Sequence, residues 1–131
     1  MVDIDHNIDF RIFDDAPSTA KAAADYLFER ISQIVEDRGV CHVVLPGGTT
    51  PAIMMEPLAD MPLPWDRIHW YPGDERCYEK GHEDRNDVMI YRHLFKNADS
   101  DMENLHAIPA ELGAEEAAAS YANFIDQQTD K

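Results

Sequence analysis

The feature that most constrains the fold is an apolar run at residues 40–45 that ends directly in a turn rich in glycine and threonine. The run is valine-rich, is flanked by glycines and is interrupted only by His42, as in a buried strand. The turn reads Pro46-Gly47-Gly48-Thr49-Thr50, and Pro51 then suits the first turn of a helix. A strand that turns at once into a helix is typical of an α/β fold with a parallel sheet.

The same alternation of strand and helix patterns continues along the chain. Strands are predicted at residues 8–13, 40–45 and 67–71, with a short strand or extended loop at 105–108. Helices are predicted at residues 20–36, 52–59, 86–96 and 111–127. The segment Asp15-Ala16-Pro17-Ser18 supplies cap and first-turn chemistry for the first of these helices, and Gly39 ends it. This order predicts a Rossmann-like α/β fold, with a mostly parallel sheet and flanking helices.

The predicted sheet is small for a fold of this class. Three strands with apolar side chains on both faces leave an edge that proteins usually cover. The sequence ends after a helix, where the alternation would place another strand, and its 131 residues are enough for one domain. We therefore expect residues 1–131 to form the N-terminal part of a single, longer domain with an incomplete sheet.

Composition limits the classes of partner. Eleven basic residues against 26 acidic ones give a net charge of −15. Nucleic acids and anionic membranes bind clustered basic residues, so we expect neither as a partner. No segment approaches the roughly 20 apolar residues of a membrane span, and the first 15 residues are acidic and unlike a signal peptide. Cys41 and Cys77 have no metal or redox spacing, which favours a cytoplasmic protein with reduced thiols, of unknown oligomeric state.

The glycine turn is the first candidate binding site. Ligands of α/β sheets bind beyond the carboxyl ends of the strands, where Gly47 and Gly48 are expected to expose backbone N–H groups at positive φ. Thr49 and Thr50 add hydroxyl donors, and the following helix directs its positive end to the same place. These are the parts of a phosphate site, but a tight turn without a ligand fits the local sequence equally well.

A charged triplet, Asp74-Glu75-Arg76, follows the predicted strand at 67–71 and is the second candidate. Arg76 is suited to bind a phosphate or carboxylate through two hydrogen bonds, and Asp74 or Glu75 to act as a base or to orient a polar group. The alternative is a surface cluster held by its own ion pair. The six histidines include no helical i, i+4 pair, and we expect no metal site. His42 and His69 are expected to be hydrogen-bonded core or edge residues.

Several segments, in matching order and spacing, resemble the 6-phosphogluconolactonases, within the wider glucosamine-6-phosphate deaminase and isomerase group. The glycine turn and the Asp-Glu-Arg triplet carry most of the resemblance. The other matching segments are Trp65-Asp66-Arg67-Ile68-His69-Trp70, Arg85-Asn86-Asp87 and Asn104-Leu105-His106-Ala107-Ile108-Pro109. The lactonases typically have Arg in the triplet where the deaminases have Tyr, so Arg76 favours a lactonase.

The resemblance implies a role for each candidate residue. Phosphate would be bound by Gly47, Gly48, Thr49, Thr50, Arg76 and Asn86. Asp74 and Arg76 would act in catalysis: Asp74 would orient a sugar hydroxyl or the catalytic histidine, and Arg76 would help to polarise the lactone. The implied reaction is hydrolysis of 6-phosphoglucono-1,5-lactone to 6-phosphogluconate in the pentose phosphate pathway, without a metal or organic cofactor.

This sequence departs from the family pattern at three places. Cys77-Tyr78 replaces a tryptophan and an aliphatic residue, and Arg85 replaces a frequent serine. The Gly-x-Asp-Gly-His motif, whose histidine is expected to activate water, is not present in these 131 residues. We therefore expect at most trace activity from this chain alone. The alternatives are a non-catalytic sugar-phosphate-binding module, a deaminase-like enzyme, and a truncated product without independent function.

Overall fold

The computed structural model describes residues 7–96 and 102–129. The helices are α1 (Ala16–Arg38), α2 (Thr49–Ala59), α3 (Asn86–Leu94) and α4 (Ala114–Thr129), and the strands are β1 (Cys41–Leu45) and β2 (Ile68–Pro72). Short 3₁₀ turns occur at Trp65–Arg67, Met102–Asn104 and Ala110–Leu112. Within the described ranges, no helix is long and apolar enough to cross a membrane.

The sheet is parallel, and the α/β class is confirmed. β1 pairs with β2 in a register that runs from Cys41 opposite Ile68 to Leu45 opposite Pro72. On the other side of β2, Leu105 forms a single parallel bridge with Trp70, and the His106 amide donates to the Trp70 carbonyl at 2.9 Å. The segment at 105–108 is therefore an extended loop with one bridge.

The predicted strand at residues 8–13 is wrong. The segment has no strand assignment, and Phe10 and Ile12 are 73% and 92% exposed. Alternating side chains favour a strand only where a neighbouring strand supplies hydrogen bonds and a surface to cover. In the described part of the chain, nothing pairs with this segment, so the predicted three-stranded sheet has two strands.

The core lies between one face of the sheet and the first three helices. The inward side chains of both strands are buried, and those of β1 alternate with exposed ones. They pack in one cluster with helical residues, among them Ile31, Met55, Leu58, Ile90 and Leu94. The cluster fixes β1 and β2 relative to α2 and α3, and these four elements meet at the candidate site.

The caps of α1 agree with the sequence prediction. Asp15 accepts a hydrogen bond from the Ser18 amide at 2.7 Å, and Gly39 ends the helix in the left-handed conformation, with φ of 83°. The buried face of α1 is a narrow stripe, in which Ala20, Ala24 and Ile31 are buried whereas the neighbouring Ala23 is exposed. The helix contacts the sheet cluster along that narrow stripe.

The other helices differ from their predicted bounds. α2 begins at Thr49, before Pro51, and α3 ends at Leu94. The predicted helix at 111–127 begins only at Ala114, because Gly113, with φ of 93°, separates it from the 3₁₀ turn Ala110–Leu112. Leu112 therefore lies in the 3₁₀ turn, outside the helix, and is 48% exposed.

Candidate functional site

The glycine turn joins the carboxyl end of β1 to the start of α2. Gly48 is the N-cap residue of α2 and has φ of 100°. Its carbonyl accepts a hydrogen bond from the Ala52 amide at 3.3 Å. In the described residues, no acceptor receives a hydrogen bond from the amides of Gly47, Gly48, Thr49 or Thr50. Four unpaired N–H groups at the positive end of a helix form an arrangement suited to an anion.

Gly47 is needed for space and not for positive φ, contrary to the expectation from sequence. Among the described glycines with positive φ, Gly48 is the only one in this turn. A Cβ atom on Gly47 would lie 2.4 Å from Oδ1 and 2.8 Å from Cγ of Asn86. The absence of a side chain therefore lets Asn86, from the start of α3, lie directly against the turn.

The carboxylate of Glu75 caps the N-terminus of α3. Its Oε1 accepts from the amides of Asn86 at 2.6 Å and Arg76 at 2.8 Å, and its Oε2 accepts from the amide of Asp87 at 2.9 Å. The side chain is 1% exposed. The Glu75 carboxylate therefore binds backbone amides and does not face a ligand. It is not placed to act as a base, which was one of the two roles that its sequence position allowed.

Asp74 and Arg76 are exposed on either side of the buried Glu75. The Asn86 side-chain amide donates to the Asp74 carbonyl at 3.0 Å and to its Oδ1 at 3.1 Å. Within the described ranges, the Arg76 guanidinium has no ion-pair or hydrogen-bond partner. The triplet is therefore not a cluster held by its own ion pair, and Arg76 is available to an anion.

The two strand ends bring most of the predicted residues into one cleft. The amide of Gly73 donates to the Leu45 carbonyl at 2.9 Å and so joins the ends of β1 and β2. The cleft has a volume of about 670 Å³. Its lining includes Gly47, Gly48, Asp74, Arg76 and Asn86.

Thr49 and Thr50 differ in their position relative to the clefts. Thr49 lines an adjacent, larger cleft between α1, α2 and the start of α3, together with Gly48 and Asn86. Thr50 lines neither of the two clefts. Both threonines can present their backbone N–H groups at the start of α2, but the hydroxyl of Thr50 is not part of either cleft wall.

Arg85 is a structural centre, a role that was not predicted from the sequence. Its side chain is 1% exposed and is surrounded by the carboxylates of Asp87, Glu111 and Glu75. Burial alone would lower the pKa of Arg85, but its hydrogen bonds to Asp87 and Glu111 outweigh that effect and the pKa lies above its usual value. One arginine among Glu83, Asp84 and Asp87 was the available signal in the sequence.

Three histidines and a tyrosine form a second group on the other face of the sheet. His42 Nδ1 lies 2.9 Å from the Tyr71 hydroxyl, and His69 Nδ1 lies 2.8 Å from His106 Nε2. The ring centroids of His42 and His69 are 5.2 Å apart. In the described ranges, no group of three or more His, Cys, Asp or Glu side chains is arranged to hold a metal ion. The absence of a metal in the reaction stays a prediction.

Sequence comparison identifies a family. The family described as glucosamine-6-phosphate isomerases/6-phosphogluconolactonase matches residues 14–131. A 6-phosphogluconolactonase of Thermotoga maritima is 32% identical over 111 residues, which are 82% of this chain and 50% of that protein. One of Synechocystis is 36% identical over 97 residues, 73% of this chain and 40% of the relative.

Structural comparison agrees with the sequence match. The crystal structure of 6-phosphogluconolactonase from Thermotoga maritima superposes with a TM-score of 0.80 at 28% sequence identity. The superposition covers 91% of this chain and 54% of the other. The chain therefore spans about half the length of the proteins that it matches.

Proposed function

Because the chain belongs to the glucosamine-6-phosphate isomerase/6-phosphogluconolactonase family, we propose that it provides the phosphate-binding part of a 6-phosphogluconolactonase. That enzyme hydrolyses 6-phosphoglucono-1,5-lactone to 6-phosphogluconate. The observation that carries the proposal is a cleft lined by both the glycine turn and Arg76, whose turn amides and guanidinium have no hydrogen-bond partner among the described residues. An anionic sugar phosphate supplies the acceptors that both groups lack.

The lining of the cleft and the adjoining start of α2 supply different groups to the substrate. The amides of Gly47, Gly48, Thr49 and Thr50 hold the phosphate, and Arg76 pairs with the phosphate or polarises the lactone carbonyl. Asp74, held by Asn86, orients a sugar hydroxyl or the catalytic histidine. Arg76 also supports lactonase over deaminase chemistry, since the resemblance places a tyrosine at this position in the deaminases.

Hydrolysis also needs a base that deprotonates the attacking water. Water attacks the lactone carbonyl, the ring C–O bond breaks, and the ring oxygen leaves as the sugar hydroxyl after it takes up a proton. The resemblance assigns the base to the histidine of a Gly-x-Asp-Gly-His segment, which these 131 residues do not contain. Our proposal is therefore that residues 1–131 bind substrate and that a later segment of a longer domain completes catalysis, without a cofactor.

Binding is the direct test of the proposed site. We expect the 131-residue chain to bind 6-phosphogluconate, and Arg76→Ala to weaken binding about tenfold or more, because a charged hydrogen bond to the phosphate is lost. Calorimetric titration measures the affinity. Arg92→Ala, an exposed arginine on α3, is the matched control with the same charge change. Equal affinities for Arg76→Ala and Arg92→Ala would contradict the proposed site.

Activity tests the assignment of the missing base. A general base typically contributes 10²–10⁴ in rate, so we expect only trace hydrolysis of the lactone by the purified chain. The pH-stat rate of proton release from fresh 6-phosphoglucono-1,5-lactone measures it. Turnover at rates usual for enzymes would show that these 131 residues contain their own base.

The proposal includes a cytoplasmic location. Both cysteines are free, Cys41 in the core and Cys77 exposed. An exposed free thiol persists most readily where the compartment is reducing, which supports this location. The proposed partner is a small sugar phosphate, and the acidic composition speaks against nucleic acid.

A further inference from the structure

Every hydrogen-bond donor of the buried Arg85 has a partner. Nε and Nη2 donate to the two carboxylate oxygens of Asp87 at 3.1 and 3.0 Å. Nη1 donates to Glu111 Oε2 at 3.1 Å and to the Tyr78 carbonyl at 3.2 Å, and Nη2 also donates to the Ile108 carbonyl at 3.0 Å. A guanidinium has five N–H donors in a fixed plane, so this site accommodates arginine in one orientation only.

The partners of Arg85 come from three separate parts of the chain. Tyr78 belongs to the loop after the charged triplet, Asp87 to the first turn of α3, and Ile108 and Glu111 to the segment before α4. Arg85 therefore joins the loop that carries Arg76 to both the start of α3 and the segment after the sheet.

Arg85 also balances the charge of Glu75. The Arg85 Nε lies 3.9 Å from Glu75 Oε2, and both side chains are 1% exposed. A buried carboxylate is stable as an anion only when positive charge and hydrogen bonds surround it. Glu75 in turn holds the amides of Arg76 and Asn86, both of which line the candidate cleft.

This geometry connects Arg85 to the ligand cleft without contact with a ligand. Asn86, next to Arg85, donates to Asp74 and lies against Gly47. A change in the orientation of Arg85 alters the start of α3, and Asn86 moves with it. The side chains that would shift are those that define the distance between the glycine turn and the triplet.

We propose that Arg85 is a positioning residue, which sets the phosphate-binding geometry by fixing Glu75 and, through it, the amides of Arg76 and Asn86 in the walls of the cleft. The proposal rests on the proposed function, because its effect is read as sugar-phosphate binding. In this chain, positioning depends on a buried cation and three carboxylates.

The test replaces Arg85 while retaining its charge. Arg85→Lys supplies one ammonium in place of five planar donors, and Arg92→Lys is the matched control on the exposed side of α3. Thermal unfolding, the ¹⁵N–¹H signals of the Asn86 side-chain amide, and the affinity for 6-phosphogluconate are measured for each protein. We expect Arg85→Lys to shift the Asn86 signals and to weaken binding at least fivefold, with Arg92→Lys unchanged in both.

The outcomes separate the positioning role from a purely structural one. A folded Arg85→Lys with unchanged Asn86 signals and binding within twofold of the original chain overturns the proposal. If Arg85→Lys does not fold, Glu111→Ala replaces it. That variant removes one of the acceptors that orient the guanidinium, at a side chain that is 25% exposed, so we expect the chain to fold with Arg85 less firmly oriented and the Asn86 signals shifted. Unchanged Asn86 signals and affinity in Glu111→Ala likewise overturn the positioning role.

The same measurements distinguish this proposal from the proposed function. If the unsubstituted chain does not bind 6-phosphogluconate, the phosphate site is refuted. The Asn86 signals still report whether Arg85 positions that side chain. Shifted signals without binding in any protein would leave the positioning geometry supported and the ligand assignment wrong.

Discussion

Single residues in the candidate site are constrained by their neighbours more than by their own conformation. Gly47 and Asn86 come from different elements, and their contact leaves no room for a methyl group. Asn86 is short and is held by two hydrogen bonds to Asp74, so it cannot move aside without losing them. The contact of this glycine with this asparagine therefore limits how closely the start of α3 approaches the glycine turn.

Gly47→Ala tests this contact. The added Cβ would lie 2.4 Å from Asn86 Oδ1, and we expect Asn86 to be displaced from Asp74. The free energy of unfolding should fall by about 1–3 kcal/mol, the usual cost of overpacking, and phosphate affinity should fall with it. Urea denaturation and titration with 6-phosphogluconate measure the two effects.

A double substitution provides the control for this prediction. In an Asn86→Ala background the clashing atoms are gone, so the cost of Gly47→Ala in unfolding free energy should be smaller than in the original chain. An equal cost in both backgrounds would mean that the glycine is required for a reason other than this contact.

Among the secondary-structure elements, β2, the extended segment after residue 104 and α4 are joined through aromatic rings. His106 stacks on His69 with centroids 5.1 Å apart and lies at the same distance from Phe124 of α4. The Tyr121 hydroxyl of α4 lies within hydrogen-bonding distance of the carbonyls of His106 and Pro72, at 2.9 and 3.3 Å. α4 thus contacts the sheet through a small polar and aromatic group.

The histidine contacts predict acid sensitivity. Burial lowers the pKa of His42, with a further lowering by His69, and burial lowers the pKa of His106, with His69 and His42 adding to the effect. The N–H···N bond between His69 and His106 also needs one nitrogen without a proton. The folded state therefore binds fewer protons than the unfolded state, in which histidine has a pKa of about 6.5.

The direction in which stability changes with pH follows from the linkage between proton binding and folding. Groups with lowered pKa contribute full stability above about pH 6.5, and that stability is lost as the pH falls below it. We expect the midpoint of urea denaturation to decrease as the pH is lowered from 7.5 to 5.5, and we expect His106→Gln to reduce that pH dependence. His82→Gln, which changes a histidine outside this group, should leave it intact. Identical pH dependence in the original chain and His106→Gln would refute the assignment.

At the scale of the whole molecule, the dominant property is charge. A net charge of −15 on 131 residues makes the folded state repel itself, and much of this charge lies on exposed carboxylates. Salt shortens the range of that repulsion, from about 30 Å at 0.01 M to about 3 Å at 1 M. The acidic surface also leaves an isolated cation such as Arg76 as a distinct local attractor for an anion.

Thermal unfolding at different salt concentrations tests whether charge repulsion limits the stability of the folded chain. We expect the unfolding temperature to rise by several degrees between about 0.01 and 0.5 M sodium chloride, because screening favours the compact anionic state. Sodium chloride and potassium chloride should act alike, which separates screening from binding of a specific cation. A midpoint that stays constant or falls over this range would show that self-repulsion does not limit stability.

The sequence predicted the features that depend on residues close together in the chain. Asp15 and Gly39 were sufficient to place the ends of α1, since a cap depends on hydrogen bonds over one helical turn. The β1 run and its glycine turn likewise predicted a strand entering a helix, and the alternation of periods predicted the α/β class. The segments that resemble the family predicted its membership, which the comparisons confirmed.

The tertiary structure decided what depends on residues distant in the chain. Residues 8–13 alternate like a strand, but a strand also needs a partner, and none pairs with them in the described ranges. Glu75 looked like a candidate base, and only the arrival of α3 beside it made it a buried helix cap. The requirement for glycine at position 47 follows from its contact with Asn86. The role of Arg85 follows from its hydrogen bonds to segments that precede and follow it in the chain. Local sequence specifies the elements, whereas the contacts between their ends specify the site, because those contacts exist only after the chain has folded.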